Sequence, residues 1–109
     1  MYEIIRVEDV SRPRCKRLVG HVKVNVTGKD AIKTAIVEAT VNIKHSSEYD
    51  SEATKMRFEG IPAHVVRLYV YSESKLLCQS MWVDKTLTDV PMPIPLNYND
   101  SVGDIGIVW

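Results

Sequence analysis

Hydrophobic and polar positions change rhythm several times along the chain, and each change predicts an element. Residues 2–9, YEIIRVED, hold the β-formers Ile4, Ile5 and Val7 ahead of the breaker Ser11-Arg12-Pro13, which predicts a strand. From Arg17 to Val26, RLVGHVKVNV, Val22, Val24 and Val26 alternate with His21, Lys23 and Asn25. A period of two puts the valines on one face of a half-buried strand, and Gly20 is expected to mark a bulge in it.

The rhythm then lengthens. Ile32, Ile36, Ala39 and Ile43 follow one another at spacings of four, three and four. That stripe predicts a helix over about residues 29–44, with Thr27 as its cap and Asp30 as the early acid. A rival reading exists for the second half, where Val37, Ala39, Val41 and Ile43 alternate with Glu38, Thr40, Asn42 and Lys44. The helix is preferred, because the start signal is good and the first half has no alternation. Residues 45–59 read as a polar loop with one or two helical turns before Gly60 and Pro62. His64 to Tyr71, HVVRLYVY, and Leu76 to Val83, LLCQSMWV, flank the polar Ser72-Glu73-Ser74-Lys75. That arrangement predicts a β-hairpin with Val66, Leu68 and Val70 toward the core. Pro91, Pro93 and Pro95 enforce an extended backbone. The apolar end, Ile105-Gly106-Ile107-Val108-Trp109, predicts a strand over 104–109 at a sheet edge, in this chain or a neighbouring molecule.

Together these elements predict an α+β fold. A small antiparallel or mixed sheet of four to five strands carries one main helix on one face, and residues 1–109 form a single domain. Composition agrees: 109 residues with 45% hydrophobic and 26% charged positions suit an ordinary globular chain. Fourteen basic residues balance fourteen acidic ones, so no global charge pulls the chain toward nucleic acid or an anionic membrane. There is no charged start followed by an apolar run, and no stretch of about 18 apolar residues. A cytoplasmic location is therefore expected, with Cys15 and Cys78 as free thiols.

The chemistry is sparse. The sequence holds no Gly-rich phosphate loop, paired-cysteine zinc spacing or nucleophile elbow. The basic cluster Arg12, Arg14, Lys16 and Arg17 reads as a solvated loop before it reads as a phosphate contact, so nucleic acid is not expected as a partner. Cys15 lies among those cations, which favour a thiolate, yet an inert thiol is the simpler expectation. Cys78 reads as a packing residue. His21, His45 and His64 have no spacing that brings them together, and Glu48, Asp50 and Glu52 lack the glycine turn of a calcium loop. No cofactor or metal is implied.

The aromatic residues offer the better candidates. Arg67, Tyr69 and Tyr71 share one strand face, and Tyr, Trp and Arg are the types enriched where proteins bind one another. Depending on register, either Leu77, Gln79 and Met81 or Cys78, Ser80 and Trp82 join them. The candidate binding residues are Arg67, Tyr69, Tyr71, Trp82 and His64. The preferred function is a binding or accessory module that acts through a sheet face or edge on a protein partner or on itself as a homodimer. The alternative is a small enzyme or ligand-binding protein with a pocket between sheet and tail, lined by Tyr71, Trp82, His64 and Arg67.

Overall fold

In the computed structural model, which describes residues 2–86 and 97–109, the alternating runs become strands of one six-stranded mixed sheet. They are β1 (Tyr2–Asp9), β2 (Arg17–Val24), β3 (Val65–Ser72), β4 (Lys75–Val83), β5 (Asp100–Val102) and β6 (Ile105–Val108). Their spatial order is β1-β2-β3-β4-β6-β5. Every neighbouring pair is antiparallel except β2 and β3, which run parallel. Two helices, α1 (Lys29–Lys44) and the short α2 (Glu52–Phe58), fill that crossover. The α+β expectation holds, with one strand more than the sequence pattern indicated, and α2 supplies the short helical stretch expected before Gly60.

The helix α1 covers one face of the sheet. Ile32, Ala35, Ile36, Ala39, Thr40 and Ile43 are its buried residues, and the three-and-four spacing places them on one side. They meet Leu18, Val22 and Val24 of β2, Val66, Leu68 and Val70 of β3, Cys78 of β4, and Ile105 and Ile107 of β6. Residues 37–44 are helical throughout, and Val37 and Val41 lie exposed on the outer side. Capping differs from expectation. Gly28 occupies the N-cap position with φ 89°, and no side chain caps the helix, so Thr27 does not fill that role. Only a glycine adopts that φ without strain.

The bulge also lies elsewhere. Gly20 pairs in register with Val7 and Leu68, whereas β1 shifts register between Ile4 and Arg6, leaving Ile5 as the extra residue. Gly20 meets a different demand: a Cβ there would run into Ile43 Cδ1 of α1, with Leu68 Cδ2 at 3.0 Å. Helix and sheet approach each other there because the side chain is missing. The β2 strand ends at Val24, two residues short of the alternating run.

The apolar end behaves as a strand within this chain. Ile105–Val108 lies between β4 and β5 and so occupies an interior position, while β5 forms that edge of the sheet. Asp100 ties β5 to both helix and terminus, accepting from Lys33 Nζ at 3.0 Å and from Trp109 Nε1 at 2.7 Å. The Lys33 hydrogen bond and then that of Trp109 hold its carboxyl down at about 2. The Pro91–Pro95 segment, expected to be extended, lies outside the described residues.

Candidate functional site

The helix α1 packs on one face of the sheet only, and strand register decides which side chains stand on the other. Arg6 pairs with His21, His21 with Tyr69, and Tyr69 with Gln79. These four positions form one transverse row across β1, β2, β3 and β4. The adjacent row runs Glu8, Val19, Arg67 and Met81. In each row all side chains point the same way, because pairing partners share a face.

The side chains of these rows touch. The His21 ring stacks on Tyr69 at 5.4 Å between centroids and on Tyr71 at 6.1 Å, with planes inclined by 13° and 18°. His21 Nε2 lies 3.0 Å from Glu8 Oε1, and Arg6 reaches the same oxygen at 2.6 Å. Tyr71 Oη is 3.5 Å from His21 Nδ1, at the limit of a hydrogen bond. On the far side, Arg67 donates to Gln79 Oε1 at 2.8 Å and lies 5.4 Å from the Tyr69 ring centre. The chain Arg6–Glu8–His21–Tyr69–Arg67–Gln79 is therefore continuous. Its members restrain one another's rotamers, which reduces the entropy lost when a partner seats on them.

The two ends of this face differ. At one end Cys15, Val65 and Met81 form a small buried cluster with Val83 against it. At the other, Ile5, Arg6, His21, Tyr71, Glu73 and Ser74 line an open depression of about 420 Å³. Ile5 is 55% exposed there, pushed outward as the extra residue of the β1 bulge. Other depressions among the described residues, of about 340, 360 and 110 Å³, are lined without Tyr71, Trp82, His64 or Arg67.

Of the five expected site residues, the structure unites Arg67, Tyr69 and Tyr71. Trp82 does not join them. It pairs with Val66, faces the helix side, carries Lys44 Nζ 4.4 Å above its ring and donates from Nε1 to Asp104 at 3.2 Å. The β3–β4 register shifts between Val70 and Tyr71, with Leu77 as the extra residue on β4, and Leu77 itself packs against the main core. His64 is also elsewhere, just ahead of β3, where Nδ1 accepts from the Lys16 backbone N–H at 2.9 Å. Its ring meets Phe58 edge-on. The sequence pattern left Gln79 open between two registers and did not place Arg6, Glu8 or His21 on this face. Their signal is the cross-strand register, which one strand's pattern does not carry.

The basic cluster disperses. Arg12 and Arg14 are exposed, but Lys16 is only 2% exposed. Its ammonium donates to Ile61 O at 2.6 Å and Ser46 O at 3.3 Å, and lies 5.1 Å from the Tyr49 ring centre. Lys16 thus pins the loops on either side of α2 to the start of β2. Desolvation favours its neutral form, and Asp9 partly opposes that. Cys15 is buried as well, and burial pushes its thiol up despite the nearby Arg17, against the thiolate its basic neighbours suggested. Cys78 is a core residue whose thiol burial pushes up to about 11.

Among the described residues no cluster of three or more His, Cys, Asp or Glu could hold a metal ion. No helix among them is long and apolar enough to cross a membrane. No family model, curated protein or solved structure matches the chain.

Proposed function

We propose that this protein is a binding module that engages a partner protein through the sheet face opposite α1. The observation that carries the reading is the row Arg6–His21–Tyr69–Gln79 with Glu8, Tyr71 and Arg67 around it. These are aromatic, arginine and amide groups, already in contact with one another and not covered by the helix. Aromatic and arginine side chains give large contact area at little entropic cost, which suits protein recognition. The depression beside His21 and Tyr71 is open, and its apolar and aromatic lining suits contact with a partner's side chains. Charges on this face are mixed, with Glu3 and Glu8 among Arg6, Arg17, Lys23 and Arg67, and the chain as a whole carries no net charge, so no strongly basic surface singles out a polyanion such as nucleic acid. A second copy of the chain is one candidate partner, and a cytoplasmic setting would keep the buried cysteines as thiols.

The test is affinity capture with three baits: the unaltered chain, Tyr69→Asp on this face, and Val41→Asp on the outer side of α1. A specific protein retained by the first and third baits and lost by the second supports the reading. Retention by Tyr69→Asp together with loss by Val41→Asp moves the interface to the helix and overturns it. Sedimentation of each variant reports self-association in the same set.

A further inference from the structure

The β3–β4 turn holds a residue in a conformation that its type disfavours, at the rim of the open depression. Glu73 has φ 55°, and it is the one non-glycine residue with positive φ among the described residues. The hairpin pairs Ser72 with Lys75, so Glu73 and Ser74 form a two-residue turn. Glycine or asparagine suits the first position of such a turn, because a Cβ crowds the backbone there. Folding stability therefore argues against glutamate at this position.

The lining of the depression gives that glutamate a use. Ile5, His21 and Tyr71 supply an apolar and aromatic floor. Of the two charged residues in the lining, Arg6 is paired with Glu8. Glu73 has no ion-pair partner among the described residues. The depression thus combines apolar contact surface with one uncompensated negative charge. A side chain with an aliphatic stem and a cationic head complements both parts, with its stem over Ile5 and Tyr71 and its head at Glu73.

We infer that this depression receives a lysine or arginine of a partner segment, seated beside an apolar neighbour, and that Glu73 selects it by charge. The inference rests on the sheet-face reading above and names the chemistry of what that face contacts. The β1 bulge then has a role in recognition, since it turns Ile5 outward beside His21.

The test is a backbone amide NMR titration of the isotope-labelled protein with three capped dipeptides: acetyl-Leu-Lys-amide, acetyl-Leu-Arg-amide and acetyl-Leu-Glu-amide. The two basic peptides should give saturable shifts at Ile5, His21, Tyr71 and Glu73, diminishing with added salt. Glu73→Gln should weaken them roughly two- to fivefold, the range for an exposed ion pair. Glu73→Gly should weaken them similarly while raising Tm, which separates loss of binding from loss of fold. Equal binding of the basic peptides by wild type and Glu73→Gln overturns the charge assignment. Stronger shifts with the acidic peptide at the same amides also overturn it, yet leave the face as a binding surface. Absence of shifts from all three peptides overturns the inference, while the capture experiment still decides the broader reading. Concentration-dependent dimerisation abolished by Glu73→Gln replaces the foreign segment with a second copy, which overturns the choice of partner.

Discussion

The two faces of this sheet come from the same strands and obey different rules. Toward α1, Leu18, Val22, Val66, Leu68 and Val70 are buried almost completely, in one apolar cluster that also takes in Ile36 and Ile43. On the opposite side, Arg6, His21, Tyr69, Tyr71 and Arg67 keep partial exposure and meet through ring stacking, hydrogen bonds and an ion pair. The first face holds the fold together by removing apolar area from water. The second spends polar and aromatic groups where a purely structural sheet would need only solubility. Because neighbouring residues alternate between faces, single substitutions one position apart separate the two roles.

Leu68→Ala should give the largest loss, about 2–5 kcal/mol in urea unfolding, since the side chain is fully buried. Tyr69→Ala, its neighbour on the other face, should cost only about 1 kcal/mol, mainly through the lost ring contacts. Equal losses would erase the distinction between the faces. Gly20→Ala probes how closely helix and sheet approach. Its methyl would press on Ile43 and Leu68, for an expected cost of about 1–3 kcal/mol.

The thiols test the dryness of the covered side. Cys78 should resist alkylation in the native protein at neutral pH and react after unfolding. Its raised folded value favours the neutral thiol. The stability this contributes is complete at neutral pH and is lost as pH climbs from the ordinary thiol range, about 8.5, toward 11. Urea midpoints should fall over that window in the unaltered chain and less steeply in Cys78→Ala. Asp100 gives the smallest and opposite-signed effect. Its depressed value favours the carboxylate, so its contribution is present above about 4, where an unfolded aspartate ionises, and fades as pH falls toward 2. Asp100→Asn should flatten that acid limb of the urea midpoint.

Much of this was legible from local spacing. The stripe Ile32, Ile36, Ala39 and Ile43 identified α1, and the alternation around Leu68 identified the core side of β3, because each follows from one element's own period. What depends on two elements was not legible. Trp82 was open to either face, since one extra residue at Leu77 decides the register of β4 against β3. His21 became central only when its pairing with Arg6 and Tyr69 was known. Lys16 stood in a basic run with nothing to distinguish it from Arg14, and its burial comes from two loops that pack over it. Thr27 looked like a cap until the chain turned at Gly28.

The single parallel pairing has a kinetic consequence. β1–β2 and β3–β4 are local hairpins, closed by short connections that need little search. The β2–β3 pairing joins residues about 48 apart, Arg17 to Val65 through Lys23 to Tyr71, and must close the long segment that contains both helices. Loop-closure entropy and contact order make such a junction the slow event. On that argument the two hairpins are expected to form before the β2–β3 seam, an order that φ-values at Val22 and Val66 would test. The row Arg6–His21–Tyr69–Gln79 crosses that seam, with Arg6 and His21 contributed by one ribbon and Tyr69 and Gln79 by the other. The row is therefore complete in neither hairpin alone, and the binding proposed for this face would require the β2–β3 seam to have closed.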